Sequence, residues 1–226
     1  MTKTMNKTEL GGLFYPTKDQ NGDPIPFDSL FLPYIWKEIY FEGVYTDILN
    51  GKKDMTIIDV GANVGLTVNH FKDFAKKVYA VEPDPMHFTA LAKNKEFNHW
   101  DNVELFNIAL ADKDGEMKLS QNKSNQTCNS ITNNYGDEGI PVKTMAMDTF
   151  FKVNNIEHVD FMKFDPEGAE ELILYSDGFR KVVDKIDTIE CEFHHPTWPE
   201  IVKFLQGLGY KARRYDSSAI IVLFFK

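Results

Sequence analysis

From residue 55 onward, short runs rich in β-branched and aromatic residues alternate with longer amphipathic stretches. The strand-like runs are 55–60, 77–82, 102–110, 159–165 and 185–193, and the helical stretches are 64–75, 86–97, 147–155, 168–179 and 199–209. Strict alternation of this kind is typical of a parallel sheet with helices on both faces. Residues 211–226 contain turn formers at 215–218, so we expect an antiparallel strand pair to end the sheet.

Two segments interrupt or precede this alternation. Residues 1–50 combine a turn-rich arm with one amphipathic helix predicted over 33–49, and we interpret them as an arm and a capping helix outside a single domain of residues 51–226. Residues 116–120 and 140–145 are expected to pair as a hairpin around a polar loop of residues 120–139. Loops of that length are often functional, and we predict a lid over the substrate.

Composition removes several classes of function. The chain has 226 residues and a formal net charge of −9, without a dense basic run, which disfavours a nucleic-acid partner. Cys128 and Cys191 lack metal-site or disulfide spacing. No apolar run is long enough to span a membrane, and the first residues do not resemble a signal peptide, so we expect a cytoplasmic protein without a membrane partner.

The run IIDVGANVGLT, residues 57–67, joins the first predicted strand to the first predicted helix. Asp59 ends the strand, while Gly61 and Gly65 leave the backbone bare and Asn63 tolerates a left-handed conformation. In an open α/β sheet, ligands bind at such strand-to-helix corners. A tight structural turn explains the glycines equally well.

Glu82 ends the second predicted strand, about twenty residues after Gly61, where a carboxylate can accept hydrogen bonds from the hydroxyls of a ribose. Its alternative role is to place a negative charge near the start of the next helix, although Asp84 and Pro85 already provide that start. Together the corners indicate an adenosine-containing cofactor. Because the GxGxxG pattern is absent and no basic residue stands nearby, a cofactor without phosphates fits better.

Four runs, 57–67, 80–94, 102–112 and 159–174, closely resemble in order and spacing the S-adenosylmethionine-dependent methyltransferases of the FkbM type. The resemblance spans roughly residues 55–195. It implies a Rossmann-like, doubly wound α/β fold whose seven-stranded, mostly parallel sheet ends in an antiparallel strand pair. It also implies S-adenosylmethionine as cofactor, S-adenosylhomocysteine as product, and O-methylation of a hydroxyl on a sugar or another small molecule.

The resemblance also assigns cofactor contacts. Gly61, Ala62, Asn63 and Gly65 would lie beside the methionyl part, and Asp59 would hold its ammonium group directly or through water. The ribose and adenine contacts that it implies are Glu82, Pro83, Asn107, Ile108 and Ala109. Packing in the core is an equally good interpretation of Ala109.

The charged run KFDPEGAE, residues 163–170, forms the fourth corner. A helix start explains Asp165 and Glu167, but Lys163 lies two residues before Asp165 and therefore on the same face of its strand. We predict Asp165 at the cofactor and as a candidate base, with Lys163 and Glu167 orienting groups around it.

The run ECEFHHP, residues 190–196, brings Glu190, Glu192 and His194 onto one face. Such a cluster can deprotonate a hydroxyl or hold a divalent cation, and a solvated charged edge is the simpler explanation. His194 is the second candidate base. We predict no metal ligand, although a divalent cation is compatible with these residues.

Two alternative functions remain open from the sequence. A nicotinamide-dependent oxidoreductase is disfavoured by the missing glycine pattern, and a non-catalytic cofactor-binding protein would use the acidic corners only as helix caps. Aromatic residues of the predicted 33–49 helix form either one wall of the acceptor site or part of the core. The sequence does not indicate the oligomeric state.

Overall fold

The computed structural model describes residues 12–18, 24, 31–122, 124–125, 128–215 and 220–226, together with the backbone of residues 5–7. The strands are β1 Met5–Lys7, β2 Phe14–Pro16, β3 Met55–Val60, β4 Ala75–Val81, β5 Val103–Phe106, β6 Ala109–Ala111, β7 Gly115–Leu119, β8 Ile140–Ala146, β9 Val159–Phe164, β10 Ile186–Phe193, β11 Lys211–Arg214 and β12 Ile220–Phe225. The α-helices are α1 Leu32–Lys37, α2 Thr46–Leu49, α3 Leu66–Phe71, α4 Pro85–Phe97, α5 Met147–Val153, α6 Glu170–Leu174, α7 Asp177–Arg180 and α8 Trp198–Gly207.

A seven-stranded sheet of order β11-β12-β10-β9-β3-β4-β5 forms the centre of the protein. Strands β5, β4, β3, β9 and β10 are parallel, whereas β12 runs antiparallel to both of its neighbours. The predicted fold class and its closing antiparallel pair are therefore confirmed. The chain builds outward from β3 in both directions, so the point where the topology reverses lies between β3 and β9.

Helices cover both faces of the sheet. Residues of β3 alternate between two hydrophobic clusters, since Ile57 packs with α1 to α4 and Ile58 packs with α5 to α8. Every residue of β3 is buried, as expected for the central strand of a sheet that is covered on both sides. This burial fixes the position of the strand end from which the site is built.

The helix predicted over residues 33–49 is interrupted. An α-helical turn, α1, continues into a π-helix at Glu38–Glu42, and Gly43 then adopts a left-handed conformation with φ of 67° before α2 begins. A side chain at Gly43 would also lie 2.6 Å from Oγ1 of Thr46. Glycine at this position therefore ends the helix, although the apolar spacing continues through it.

The strand predicted over residues 102–110 is divided at Asn107. Its first part, β5, belongs to the main sheet, whereas β6 joins β7 and β8 in a separate three-stranded sheet. The side-chain amide of Asn107 donates hydrogen bonds to the carbonyl oxygens of Glu82 and Pro83, at 2.9 and 3.0 Å, and these bonds hold the chain as it leaves β5.

The predicted hairpin of residues 116–120 and 140–145 is confirmed as β7 and β8, which pair antiparallel. The helix predicted over 168–179 is divided into α6 and α7, because the side chain of Ser176 caps a new helix start. At the end of the chain, residues 216–218 of the predicted turn lie outside the described residues. Within the described residues, no helix combines the length and apolar character needed to cross a membrane.

Candidate active site

A cavity of about 450 Å³ opens at the carboxyl ends of β3, β4, β9 and β10, beside the point where the topology reverses. Its walls come from these strand ends, from α1 and the π-helix, from β6, and from part of the polar segment, residues 120–139. Ligands bind at this place in open α/β sheets because backbone groups of several corners converge there. The sequence-predicted corners therefore meet in one site.

The first glycine of the β3 corner allows two backbones to approach closely. Gly61 has φ of 79°, and a Cβ atom built on it would lie 2.1 Å from the carbonyl oxygen of Asp165. Its amide and that of Ala62 both donate to the carbonyl oxygen of Val81 at 3.0 Å. Gly61 and Ala62 both line the cavity, and the packing alone already requires glycine at position 61.

The second glycine has a structural reason of its own. Gly65 has φ of 97°, and a Cβ atom there would lie 2.7 Å from Leu91 and 3.0 Å from Trp100. It precedes α3 and lets that helix start pack against α4. Gly65 does not line the cavity. Its predicted contact with a ligand therefore stays a prediction, whereas its place before α3 is a structural one.

The carboxylate of Glu82 is held by two backbone amides. The amide of Asn63, a residue with φ of 49°, donates to Oε2 at 2.8 Å, and the amide of Asp84 donates to Oε1 at 2.8 Å. Glu82 lines the cavity and is only 5% exposed. Burial, followed by the charge of Asp84, raises the pKa of Glu82 to about 8, against the opposing effect of the two amides.

Lys163 lies between two carboxylates at the floor of the cavity. Its Nζ atom is 3.1 Å from Oδ2 of Asp165 and 3.7 Å from Oδ1 of Asp59, and it donates to the carbonyl oxygen of Gly61 at 3.1 Å. Burial alone would lower the pKa of Lys163, but Asp165, Asp59 and Glu190 raise it above its ordinary value. Lys163 is therefore a cation whose hydrogen bonds are already used within the protein.

Asp59 itself is fully buried. Its Oδ2 atom accepts a hydrogen bond of 2.5 Å from Oγ1 of Thr67. Burial raises the pKa of Asp59, whereas Lys163 and the bond from Thr67 lower it. Thr67 and Lys163 line the cavity and Asp59 does not, so Asp59 reaches a ligand only through these neighbours or through water.

At the other end of the cavity, three carboxylates face one imidazole. The Nε2 atom of His194 lies 3.2 Å from Glu167, 3.7 Å from Glu192 and 3.8 Å from Asp165. Its Nδ1 atom lies 2.9 Å from Oε1 of Glu170. Burial opposes the charged form, but these carboxylates, Glu170 first, raise the pKa of His194 to about 10. His194 therefore carries a proton at neutral pH in this arrangement.

The residues that the resemblance assigned to adenine are not all together. Ala109 lines the cavity, as do Pro83 and Leu110. Ile108 instead packs in the hydrophobic cluster on one face of the sheet, and the Asn107 amide is engaged by the carbonyl groups of the β4–α4 corner. Within this trio, direct contact with a ligand in the cavity is open to Ala109.

Sequence reasoning missed several residues around the cavity. His87, in the first turn of α4, is buried and its Nε2 atom has no hydrogen-bond partner within the described part of the chain. Burial lowers the pKa of His87. Glu38, in the π-helix, also lines the cavity, together with Cys128 and Asn129 of the polar segment. For His87, the sequence feature that points to the cavity is its position three residues after the Asp84 cap, in the first turn of α4.

The polar segment is attached to the β4–α4 corner. Asn129 donates a hydrogen bond of 2.9 Å from Nδ2 to Oδ2 of Asp84, and Gln121 donates one of 3.2 Å from Nε2 to the same oxygen. The other oxygen of Asp84 accepts bonds from the first amides of α4. Through Asp84, one side chain thus connects the segment to the start of a helix beside Glu82.

Solved structures of methyltransferases share this fold. The chain is 11% identical to an rRNA methylase from Streptococcus thermophilus, with a TM-score of 0.53 over 83% of this chain and 95% of that one. It is 15% identical to the methyltransferase FkbM from Methylobacillus flagellatus KT, with a TM-score of 0.54 over 87% of this chain and 52% of that one. For TrmK of M. capricolum, solved with S-adenosylhomocysteine, the values are 12%, 0.50, 82% and 66%.

Sequence comparison adds the family. No curated protein sequence matches the chain. The model described as the methyltransferase FkbM domain matches residues 59–212, which is more than half of the 226 residues. This match covers the β3 corner, the Glu82 corner and the charged cluster, and the chain belongs to the FkbM methyltransferase domain family.

Proposed function

We propose that the protein is an S-adenosylmethionine-dependent methyltransferase that methylates a hydroxyl group on a sugar or another small molecule. In this proposal residues 51–226 form the catalytic domain, residues 1–50 cover it, and the polar segment acts as a lid. The observation that carries the proposal is the cavity at the strand ends, which offers the Glu82 carboxyl group to a nucleoside, while Lys163 and His194, the cations that line it among the described residues, are already surrounded by carboxylates.

The basic side chains around the cavity favour a cofactor without phosphates over a dinucleotide. Among the described residues that line the cavity, the basic side chains are Lys163, His87 and His194. Lys163 and His194 are surrounded by carboxylates, and burial keeps His87 neutral by lowering its pKa. A pyrophosphate would therefore lie among carboxylates without a partner, whereas a sulfonium is a cation and gains from the same surroundings.

The cofactor contacts follow from the placement of each group. Glu82 has two oxygens, each with a remaining lone pair, for the ribose hydroxyls. The backbone at Gly61 and Ala62 would lie against the methionyl chain, and Asp59 would act on its ammonium through Thr67 or water. Ala109 and Pro83 would border adenine. The SAH bound to TrmK, which shares the fold, supports this choice of cofactor.

Methyl transfer from a sulfonium to oxygen breaks the carbon–sulfur bond as the carbon–oxygen bond forms, and the hydroxyl proton must leave. Alignment of the three atoms supplies about 7 to 11 kcal/mol, and a base adds roughly 10² to 10⁴ in rate. Since His194 already holds a proton, we assign the base to Asp165. His194 and Lys163 would orient the carboxylates, and Glu167 would hold the acceptor hydroxyl.

We call the part of the cavity around His194 the acceptor end, and its charge favours a neutral or cationic acceptor. Glu38, Glu167 and Glu192 line this end of the cavity, and burial together with neighbouring carboxylates raises the pKa of all three, that of Glu167 to about 9. An anionic acceptor such as a phosphodiester would add a further negative charge to this crowded group. The rRNA methylase shows that the fold is compatible with a nucleic-acid substrate. The charge of this cavity is therefore our reason for proposing a small acceptor instead of a nucleic acid.

A ligand panel tests the proposal. We expect S-adenosylmethionine and S-adenosylhomocysteine to raise the melting temperature and to give heat in calorimetry, while NAD⁺ and NADPH leave both unchanged. Glu82→Gln should weaken the binding of S-adenosylhomocysteine by at least about tenfold, because an NH₂ donor replaces one of the two oxygens that accept from the backbone amides and the ribose hydroxyls. Glu104→Gln, at an exposed site on β5, is the matched control.

The alternatives give different results in the same panel. Stabilisation by a nicotinamide cofactor would replace the proposal with an oxidoreductase. Binding of S-adenosylhomocysteine without methylation of any sugar, polyol, amine, protein or RNA acceptor would favour a non-catalytic binding protein. If neither S-adenosylmethionine nor S-adenosylhomocysteine bound, the proposed methyltransferase activity would be wrong.

A further inference from the structure

The acceptor end of the cavity contains a set of side chains with the composition of a metal centre. Asp165, Glu167 and His194 each place one ligand atom so that all three lie within 4.8 Å of one another. Ligands bound about 2.1 Å from a common ion lie roughly 3.0 to 3.4 Å apart. The separations from His194 Nε2 are 3.2 Å to Glu167 and 3.8 Å to Asp165, so these two pairs lie within a few tenths of an ångström of that spacing.

The histidine is held in the way that metal ligands are held. Its Nδ1 atom bonds Glu170, which is 1% exposed and whose Oε1 also accepts the amide of Gly168 at 2.9 Å. Metal-ligating histidines usually give their second ring nitrogen to a carboxylate in this manner, which fixes the ring and directs the other nitrogen at the ion. In this chain that nitrogen is directed at three carboxylates.

A second observation is independent of this geometry. Glu190 lines the same cavity, is only 5% exposed, and leaves Oε2 without a hydrogen-bond partner within the described part of the chain. Oδ1 of Asp165 also has none there. Buried carboxyl oxygens without hydrogen-bond partners are costly, and either a bound proton or a nearby cation lowers that cost. Lys163 and His194 are the only cationic side chains in contact with this group of carboxylates among the described residues.

We propose that Asp165, Glu167 and His194 bind a divalent metal ion at the acceptor end of the cavity, with Glu192 as a neighbouring carboxylate. The ion displaces the proton from Nε2 of His194 to solvent, and the proton on Nδ1 stays with the bond to Glu170. One imidazole and two carboxylates suit Mn²⁺, Fe²⁺ or Zn²⁺ better than Mg²⁺, which prefers an all-oxygen set. Three protein ligands leave open positions. An acceptor hydroxyl that binds there would become more acidic and would be held in line with the cofactor, a role that rests on the proposed function.

Another group, His158, Asp160 and Asp187, also places its ligand atoms within 4.8 Å of one another. His158 and Asp187 are exposed, and Asp160 uses one oxygen to accept the amide of Thr56 at 2.7 Å. It lies at the opposite ends of β9 and β10, away from the cavity. It is the competing site that an experiment must exclude.

Metal binding can be measured without cofactor or acceptor. Mn²⁺ is titrated into the full chain, and the free ion is followed by electron paramagnetic resonance. We expect a single Mn²⁺ per chain, with Zn²⁺ competing for the same site. His194→Gln and Glu167→Gln should each weaken the ion by at least about tenfold, and Glu170→Gln by a similar factor because it releases the histidine. His195→Gln and Glu171→Gln are matched controls on the neighbouring positions.

Melting curves keep the result interpretable. Removal of one carboxylate from a crowded cluster should leave the metal-free chain at least as stable, so a loss of binding in a folded Glu167→Gln protein cannot be attributed to unfolding. Absence of Mn²⁺ and Zn²⁺ binding at millimolar concentrations would overturn the proposal, as would loss of the ion in His158→Gln instead of His194→Gln. Either failure leaves binding of S-adenosylhomocysteine to Glu82 untouched.

Discussion

The Nδ2 atom of Asn129 lies 2.9 Å from Oδ2 of Asp84, and this hydrogen bond fastens the polar segment to the corner that carries Glu82. Both side chains are buried. Because Asp84 also caps α4 with its other oxygen, the segment and the helix start share one carboxylate. The attachment of the segment to this corner should therefore be sensitive to a negative charge at position 129.

We predict that Asn129→Asp opens the polar segment. A second carboxylate beside Asp84 replaces a donor by a like charge, with a cost of about 1 to 3 kcal/mol. Hydrogen exchange or protease cleavage within residues 120–139 should accelerate by about tenfold. Asn134→Asp is the control, since it adds the same charge on the exposed part of the segment, where its oxygen can still accept the amide of Gly136. Equal acceleration in both variants would contradict the attachment.

Gly61→Ala should be far more damaging than Gly51→Ala. Both glycines have positive φ, 79° and 72°, but a Cβ atom at Gly51 meets nothing within 4 Å, whereas at Gly61 it would meet the carbonyl oxygen of Asp165. The difference isolates the contact between β3 and β9 from backbone strain. We expect a loss of about 1 kcal/mol for Gly51→Ala and more than about 3 kcal/mol for Gly61→Ala in urea unfolding. Similar losses would argue against the close contact.

Glu190 should make the protein less stable as pH rises. Burial raises its pKa from the ordinary 4.5 to about 8, although Lys163 acts in the opposite direction. Between these values the folded chain binds a proton that the unfolded chain has released, so stability falls with increasing pH. Glu190→Gln should match the wild type near pH 5 and exceed it by roughly 4 kcal/mol near pH 9.

The measurement for Glu190 is urea unfolding at both pH values. Glu171→Gln serves as control, since its side chain is 46% exposed and lies outside the cavity. A constant difference between Glu190→Gln and the wild type across this range would show that the carboxyl titrates normally in the folded chain.

The two cysteines report on occupation of the cavity. Cys128 lines it, whereas Cys191 is fully buried in β10. A thiol reagent should therefore label Cys128 first, and S-adenosylhomocysteine should slow that phase several-fold. Cys128→Ser should remove the fast phase and keep the slow one. Labelling of Cys128 at a rate independent of the ligand would place the bound nucleoside elsewhere.

Asp165→Asn should separate binding from chemistry. The amide keeps the shape of the side chain but cannot take the acceptor proton, so turnover should fall by roughly 10² to 10⁴ while the affinity for S-adenosylhomocysteine changes by less than about tenfold. Asp112→Asn, on an exposed side chain after β6, controls for loss of charge. Unchanged turnover in Asp165→Asn would remove the base assignment.

The order of strands and helices in the sequence was sufficient to predict which strand ends meet at the site. Asp59, Glu82 and Asp165 all follow apolar runs, and parallel strands bring such positions to one edge of a sheet. Their convergence could therefore be predicted without coordinates. The same is true of the antiparallel strand pair at the end of the chain, which the turn residues at 215–218 indicated.

Partners distant in sequence could not be predicted. In α4, Phe97 follows the apolar spacing of the helix, yet it is 51% exposed, whereas the polar Asn94 is fully buried. Asn94 donates from Nδ2 to the carbonyl oxygens of Phe14 and Val64, at 3.0 and 2.7 Å, and so joins the N-terminal strand to the β3 corner. A hydrogen bond across eighty residues leaves no periodic signal.

The two amides that grip Glu82 have a kinetic consequence. Because the amides of Asn63 and Asp84 already anchor both oxygens, capture of the nucleoside should require no rearrangement of this carboxyl group. The association rate should then be set by passage through the mouth of the cavity, and viscosity should slow it in proportion.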